Sequence, residues 1–175
     1  AEWKFERKSN ENYYYFKDEF KIVWRMPRKN GLYYDMYKHP LEDAETIKDV
    51  ERLPFIDPAS ESRFKHVNKD IKYSLNNNKA IILNLNTGGL FELALWLRGF
   101  ENLFMDMIQN TSIAEAILDK ILNYKIKFWN RFLEKAGAPR TLIVAEADDL
   151  GDQENTLISP EMYKEFIKPR HKKLF

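Results

Sequence analysis

The segment Thr141-Leu-Ile-Val-Ala145 runs directly into Glu146-Ala-Asp-Asp149 and is the clearest indication of the fold. A second apolar run, Lys79-Ala-Ile-Ile-Leu-Asn-Leu85, lies upstream and follows a polar segment. Short apolar runs bounded by polar residues are typical of strands that are buried in a parallel sheet. The two runs therefore predict two buried strands.

Helical patterns lie between these two strands. Residues 90–97 and 100–109 are predicted to be helical. The clearest helix is predicted to begin near Ser112, because Ser112 and Glu115 have the spacing of a capping box and apolar residues then recur at steps of three and four. Gly137 is a natural C-terminal stop for this helix.

A further helix is predicted after the second strand. Ser159 has the position of an N-cap, Pro160 suits the first helical position, and the helix is expected to run through Lys168. The order is then strand, helices, strand, helix. Because such alternation implies right-handed βαβ crossovers and a parallel sheet, the sequence predicts the α/β class.

The first forty residues are rich in aromatic side chains. Residues 20–26 and 33–37 read as two strands joined by a turn at Asn30-Gly31, which predicts a β-hairpin or small meander. Its aromatic stripe is interpreted as cross-strand packing in preference to a ligand wall. A short helix is expected over 46–52 and a longer polar helix over 58–78, so we divide the chain into residues 1–57 and 58–175.

Composition excludes several classes of function. The net charge is +1 with acids and bases well mixed, which gives no footprint for nucleic acid or an anionic membrane. No apolar run is long enough to span a bilayer and no signal-peptide pattern is present, so a cytoplasmic protein is expected. Cysteine is absent, and His39, His66 and His171 have no ligand spacing, so we expect no metal site from this chain alone.

Polar residues cluster where the two predicted strands end, which is where parallel α/β folds bind ligands. If the strands are neighbours, both loops open on the same rim. The candidate substrate-binding residues are Asn84 and Asn86 after the first strand, and Glu146, Asp148, Asp149 and Gln153 after the second. No catalytic residue is assigned.

The acidic run has two interpretations. Crowded carboxylates raise one another's pKa, and period-two alternation would place Glu146 and Asp148 on one side, facing a pocket as proton-transfer or hydrogen-bonding groups. Alternatively, Asp148 and Asp149 cap a turn and Glu146 pairs with a lysine. The loop 86–89 also has two interpretations. It is either a structural turn or an anion site, at which the amides of the following helix would donate hydrogen bonds to the anion.

Three stretches resemble the uroporphyrinogen decarboxylase superfamily, and together with residues 33–58 the resemblance covers nearly the whole chain. They are Leu95-Trp-Leu-Arg-Gly-Phe-Glu-Asn-Leu103, Glu134-Lys-Ala-Gly-Ala138, and Asp148-Asp-Leu-Gly151 followed by Ile158-Ser-Pro-Glu-Met-Tyr-Lys-Glu-Phe-Ile-Lys-Pro-Arg170. The last is the most specific. The resemblance implies a TIM (β/α)8 barrel, of which this chain would supply the first β/α units after an aromatic-rich extension.

The resemblance favours the methyltransferase-like branch of that superfamily, whose members move methyl groups between corrinoid proteins and thiols with the help of zinc. The parent would then use zinc and a corrinoid protein as partner, and act on a small-molecule substrate. The zinc ligands of that branch, a histidine and cysteines, lie downstream of the helix in which this chain stops. The chain is therefore expected to be an inactive internal fragment that self-associates or pairs with the rest of the barrel.

Two alternatives remain. The first is uroporphyrinogen decarboxylation in haem biosynthesis, although the arginine-rich substrate motif is not visible and Leu95 stands about where the decarboxylases have a tyrosine. Acidic strand ends would also repel a substrate with many carboxylates. The second alternative is a non-catalytic binding module that keeps only part of the barrel.

Overall fold

A computed structural model describes residues 6–84, 87–137 and 142–175. The N-terminal part is a four-stranded antiparallel meander with the order β1-β2-β3-β4. Its strands are β1 (Glu6–Ser9), β2 (Tyr13–Lys17), β3 (Val23–Pro27) and β4 (Asp35–Lys38). The predicted hairpin is confirmed as β3 and β4, and β1 and β2 extend it into a meander.

Helices make up most of the remaining chain. In order, the elements are α1 (Ile47–Arg52), a 3-10 turn (Glu61–Phe64), α2 (Val67–Asn76), β5 (Ile81–Asn84), α3 (Leu90–Arg98), α4 (Phe100–Gln109), α5 (Thr111–Ala136), β6 (Leu142–Ala145), α6 (Pro160–Met162), a π-helical turn (Tyr163–Ile167) and α7 (Lys168–Leu174). The single helix predicted over 58–78 is wrong, because it divides into the 3-10 turn and α2. The 3-10 turn ends at Phe64, whose ring is buried against Phe128 and Phe132, and α2 begins at Val67.

Helix α5 is the centre of the fold. It runs from Thr111 to Ala136, and Gly137 ends it as predicted with a φ of 72°. The predicted cap at Ser112 is wrong: Asn110 is the N-cap, and the Ser112 hydroxyl lies inside the helix, where it donates to Asn110 Oδ1 at 3.1 Å. The capping-box spacing misled here because the real N-cap lies two residues earlier.

Strands β5 and β6 pair in parallel, with Ile81 opposite Leu142 and Asn84 opposite Ala145. Ile81 and Leu83 are buried toward α5, whereas Ile82 and Ile143 are more than half exposed on the opposite face. The predicted strands and the mixed α/β class are thus confirmed, and the two strands are neighbours in the sheet. The described residues contain this one parallel pair, so the closed barrel stays a prediction.

One core joins the meander to the helices across the boundary at residue 57. The rings of Phe20, Phe55 and Tyr124 meet edge to face at centroid distances of 5.2–5.6 Å. The buried guanidinium of Arg98 donates to the Leu41 carbonyl at 2.5 Å and to Asp106 at 2.8 Å, which fixes the meander's exit to α3 and α4. Among the described residues, no helix combines the length and the apolar composition that a bilayer crossing requires.

Candidate functional site

A cleft of about 250 Å³ opens beside the loop that follows β6. One wall comes from α3 and the start of α4, and the other comes from residues 149–157. The side chains that line it are Glu92, Leu95, Trp96, Phe100, Asp149, Asp152, Gln153 and Leu157. Three of them are carboxylates, two are aromatic, and none is a lysine or arginine. This small cleft is therefore acidic with an aromatic wall.

Asp149 and Gln153 are the two predicted site residues that line the cleft. Both are exposed to solvent. Asp152 lies between them, and its Oδ1 accepts the backbone amides of Glu154 at 2.7 Å and Asn155 at 2.6 Å. These backbone hydrogen bonds hold the pKa of Asp152 below its ordinary value. Asp152 therefore shapes the loop that carries Gln153.

Glu92 contributes a carboxylate from the first turn of α3. Its Oε2 accepts the Gly89 amide at 3.1 Å, which fixes the side chain over the helix start. Partial burial, and then the charges of Asp149 and Asp148, raise the pKa of Glu92 above its ordinary value, although the Gly89 amide opposes the shift. A carboxylate with a raised pKa is a better proton acceptor than an ordinary one.

The aromatic wall of the cleft is held from behind. The Trp24 ring meets the Trp96 ring edge to face at 5.4 Å, so the meander supports the wall directly. The Nδ1 of His39 lies 2.8 Å from the Trp96 carbonyl oxygen. A Cβ on Gly88 would lie 3.0 Å from the Trp96 indole, so glycine gives this ring its room. The Trp96 ring therefore packs between Trp24 and Gly88, and His39 bonds its backbone.

Asp148 does not line the cleft, and its carboxylate lies at the start of α3. Its carboxylate accepts the amide of Phe91 at 2.8 Å and the amide of Glu92 at 2.9 Å. Its side chain is 6% exposed. One interpretation of the sequence was that the amides at the start of this helix bind an external anion. In the structure they are bonded to the Asp148 carboxylate, which also complements the helix dipole.

Asp148 has a further partner from the C-terminal helix. The Nε2 of His171 lies 2.9 Å from Asp148 Oδ2, and the Nδ1 of the same ring lies 3.4 Å from the Tyr163 hydroxyl. Helix α6 begins as predicted, with Ser159 Oγ accepting the Met162 amide. The chain from α6 to α7 is thereby tied to the end of β6.

Glu146 lies on the α5 side of the sheet. Its carboxylate accepts hydrogen bonds from Lys125 Nζ at 3.0 Å and from the indole of Trp129. The side chain of Lys125 is 0% exposed and that of Glu146 is 5% exposed. The pairing of Glu146 with a lysine, which the sequence left as one of two interpretations, is the arrangement in the structure.

The six predicted residues therefore divide. Asp149 and Gln153 share the cleft, whereas Glu146 and Asp148 point to partners inside the protein, since β6 ends at Ala145 and strict alternation ends with it. Asn84 is exposed at the end of β5, next to Ala145 across the sheet. Asn86 lies outside the described residues. The substrate-binding role of the set stays a prediction.

Sequence reasoning missed Glu92 and Trp96. Both lie on the helix that follows the first buried strand, four residues apart, so they share one helix face. A polar and an aromatic residue at this spacing, just beyond the carboxyl end of a strand, were a usable signal.

A zinc ion does not fit the described part of the chain. No group of three or more histidine, cysteine or acidic side chains within residues 6–84, 87–137 and 142–175 is arranged to hold a metal. The three carboxylates of the cleft do not form such a group, and His171 is bonded to Asp148.

Comparisons with known proteins agree with this fold. A methyltransferase from Methanosarcina mazei has a similar structure, with a TM-score of 0.56 and 22% sequence identity; the match covers 89% of this chain and 43% of that one. This chain thus spans less than half of the relative's length, and the low identity makes the likeness one of fold. Curated proteins gave no match. The sequence model of the uroporphyrinogen decarboxylase (URO-D) family matches residues 31–175, so the chain belongs to that family.

Proposed function

We propose that this chain is the substrate-side part of a methyltransferase-like enzyme of the URO-D family, in which Asp149 and Gln153 contact a small-molecule substrate. The observation that carries the proposal is the acidic cleft, which is lined by carboxylates and aromatic rings and by no lysine or arginine. The fold likeness to a methyltransferase supports it.

The charge of the cleft argues against uroporphyrinogen decarboxylation, the alternative function within the family. A uroporphyrinogen carries many carboxylates, and a site that binds it needs cations to hold them. Glu92, Asp149 and Asp152 would repel such a substrate at close range. Lys125, a buried cation whose charge acts on Glu92, is already bonded to Glu146. A neutral or cationic substrate is therefore favoured over a polycarboxylate.

Methyl transfer to a thiol needs a proton acceptor. The thiolate sulfur supplies the electron pair of the new S–C bond, the methyl donor keeps the pair of the bond that breaks, and the thiol proton goes to a base. Glu92 suits this role, because its raised pKa increases its affinity for a proton and it lies in the cleft beside Asp149.

Zinc and a corrinoid protein belong to the proposal for the whole parent enzyme. Zinc lowers the pKa of a bound thiol and so supplies the thiolate. Since the described residues offer no metal site, its ligands would have to come from other parts of the parent. No step of the present proposal depends on their geometry.

The test uses the full-length parent protein. It is incubated with methylcobalamin and a thiol, and the loss of methylcobalamin absorbance is followed; a parallel reaction contains uroporphyrinogen. We expect methyl transfer, with a rate that falls at least about tenfold in the Asp149→Asn variant, while the Glu161→Gln variant, which alters an exposed acid on α6, keeps the parental rate. Decarboxylation of the porphyrinogen without methyl transfer would reject the proposal in favour of the alternative, and no turnover of either compound would favour a non-catalytic module.

A further inference from the structure

Trp24 in the meander makes two contacts that hold its ring. Its indole Nε1 donates a hydrogen bond to Asp18 Oδ2 at 2.8 Å. The ring also stacks on Phe16, which lies opposite it on β2, with 6.0 Å between the ring centroids and 11° between the ring planes. A partly buried indole is best accommodated when its N–H has an acceptor and its ring has an aromatic neighbour, and Trp24 has both.

Asp18 connects the Trp24 indole to the turn between β2 and β3. Its Oδ1 accepts the amides of Phe20 at 2.9 Å and Ile22 at 3.0 Å. The side chains of Phe20 and Ile22 are both buried in the main hydrophobic core. Burial raises the pKa of Asp18 above its ordinary value, although the hydrogen bonds from Trp24 and from the two amides oppose the shift. One carboxylate therefore serves the indole and the turn that enters the core.

Trp24 lies at an irregularity of the ladder between β3 and β4. Val23 lies opposite Lys38, whereas the next residue, Trp24, lies opposite Met36, so β4 has one residue more than β3 at this point. Irregularities of this kind bend a strand and redirect its side chains, and they are common beside active sites. The Trp24 ring reaches Trp96 on α3, which it meets edge to face at 5.4 Å with 84° between the ring planes.

Trp96 connects this contact to the acidic cleft. Its side chain lines the cleft together with that of Glu92, which lies one helical turn earlier on α3. Asp18 and Trp24 precede residue 31, where the family match begins, so family membership assigns no role to either. The described lining of the cleft lies within residues 92–157, so a contact with Trp96 is a route by which the meander can act on this cleft.

We propose that Asp18 and Trp24 are positioning residues for the cleft: Asp18 holds the Trp24 indole, and Trp24 sets the angle at which the Trp96 ring bounds the substrate. A side chain that contacts substrate depends on its neighbours for its orientation, so a loss behind the ring weakens binding in front of it. The meander thereby contributes to substrate affinity. The inference rests on the proposed function, since it takes this cleft as the substrate site.

The kinetic test uses the full-length parent protein with methylcobalamin and 2-mercaptoethanol. Trp24→Leu removes the ring behind Trp96. We expect the KM for 2-mercaptoethanol to rise about threefold or more while kcat stays within about twofold, because a wall that holds the thiol equally before and during the reaction contributes to binding alone. A loss of folded protein would instead lower kcat and leave KM unchanged. Trp24→Phe keeps an aromatic ring and is expected to restore most of the affinity.

Two further variants separate the contact from general effects on the meander. Asp18→Asn leaves one carbonyl oxygen for three donors, so the indole of Trp24 is held less well and a smaller rise in KM is expected. Tyr13→Leu is the matched control. It removes an aromatic ring from the opposite face of the same sheet, since Tyr13 and Phe16 are three positions apart on β2, and it is expected to leave KM unchanged.

A spectroscopic measurement tests the position of the ring without turnover. The parent protein is labelled with 5-fluorotryptophan, and the fluorine signals of Trp96 and Trp129 are assigned from the variants that replace each by phenylalanine. We expect the Trp96 signal to move in Trp24→Leu and to keep its place in Tyr13→Leu. The Trp129 signal is the internal control, because this ring packs in the second hydrophobic cluster and should keep its place in both variants.

Three results would overturn the inference. They are a Trp96 signal that does not move in Trp24→Leu, equal shifts of the Trp96 and Trp129 signals, and a fall in kcat at unchanged KM. Equal shifts would show a general change in packing, and the fall in kcat would show a loss of active protein. If the parent transfers no methyl group at all, the proposed function fails, and the fluorine signals still decide whether Trp24 sets the Trp96 ring.

Discussion

The Nε2 of His171 lies 2.9 Å from Oδ2 of Asp148, which joins the last helix to the end of the second parallel strand. The same carboxylate accepts two amides at the start of α3. Asp148 thus caps the N-terminus of α3, although it lies more than fifty positions away in the sequence. The neighbouring Asp149 has the opposite setting, because it is exposed in the cleft.

This contrast predicts different effects for two identical substitutions. Asp148→Asn removes the charge that complements the helix dipole and leaves one carbonyl oxygen for the contacts that two oxygens now make, so we expect a loss of about 1–2 kcal/mol in the free energy of unfolding. Asp149→Asn is expected to change that free energy by less than about 0.5 kcal/mol. Urea denaturation of the two variants measures both values, and equal losses would contradict the assignment.

The buried pair of Lys125 and Glu146 predicts strong non-additivity. Glu146→Leu leaves the ammonium of Lys125 buried without its carboxylate, and we expect a loss of about 3–5 kcal/mol. Adding Lys125→Met removes the stranded charge, so the double variant is expected to be more stable than the single Glu146→Leu variant. The double-mutant cycle is measured by urea denaturation; a double variant that loses the sum of both single losses would show that the pair is not coupled.

Local sequence patterns were sufficient to predict the two parallel strands and the long helix α5 that lies between them in the sequence. The run from Lys79 and the run from Thr141 were recognisable because a buried strand needs continuous apolar character, and β5 and β6 lie within them. Helix α5 was found because its apolar residues recur at helical spacing, although its N-cap was misplaced by two residues.

The partners of the acidic residues could not be predicted in the same way. Lys125 occurs in the helix as one polar residue among apolar neighbours, and nothing local shows that it meets Glu146 across the sheet-helix interface. His171 and Asp148 are likewise brought together by the packing of α7, which no spacing rule describes. The acids of the cleft and the acids of the interior therefore look alike in sequence and differ only in what the fold places beside them.

Gly89 predicts a steric effect at the start of α3. A Cβ at this position would collide with the Cα and carboxylate of Asp148, although the backbone angles of Gly89 suit any residue. We expect Gly89→Ala to lower the free energy of unfolding by about 1–3 kcal/mol, because the end of β6 must move away from the helix. Thermal denaturation measures this loss. Gly151→Ala is the control, because the nearest atom to its new Cβ would be a backbone oxygen at 3.1 Å in an exposed loop. A smaller loss is therefore expected for Gly151→Ala.

Glu92 predicts a dependence of stability on pH. Because burial and the nearby carboxylates raise its pKa, the folded chain binds more protons than the unfolded chain at pH values from about 4.5 up to the raised pKa. This group therefore lowers the free energy of unfolding as the pH rises through that range, and the loss persists above it. Glu92→Gln removes the loss and keeps an acceptor for the Gly89 amide.

We accordingly expect Glu92→Gln to match the parent chain near pH 4 and to exceed it at pH 7. The gain should stay below about 1 kcal/mol, since the carboxylate is open to water on the cleft side and its repulsion is screened. Glu161→Gln, at an exposed site on α6, is expected to follow the parent at every pH. Thermal denaturation across this pH range measures the difference, and a Glu92→Gln variant that is less stable than the parent at pH 7 would mean that the carboxylate stabilises the helix start more than its neighbours repel it.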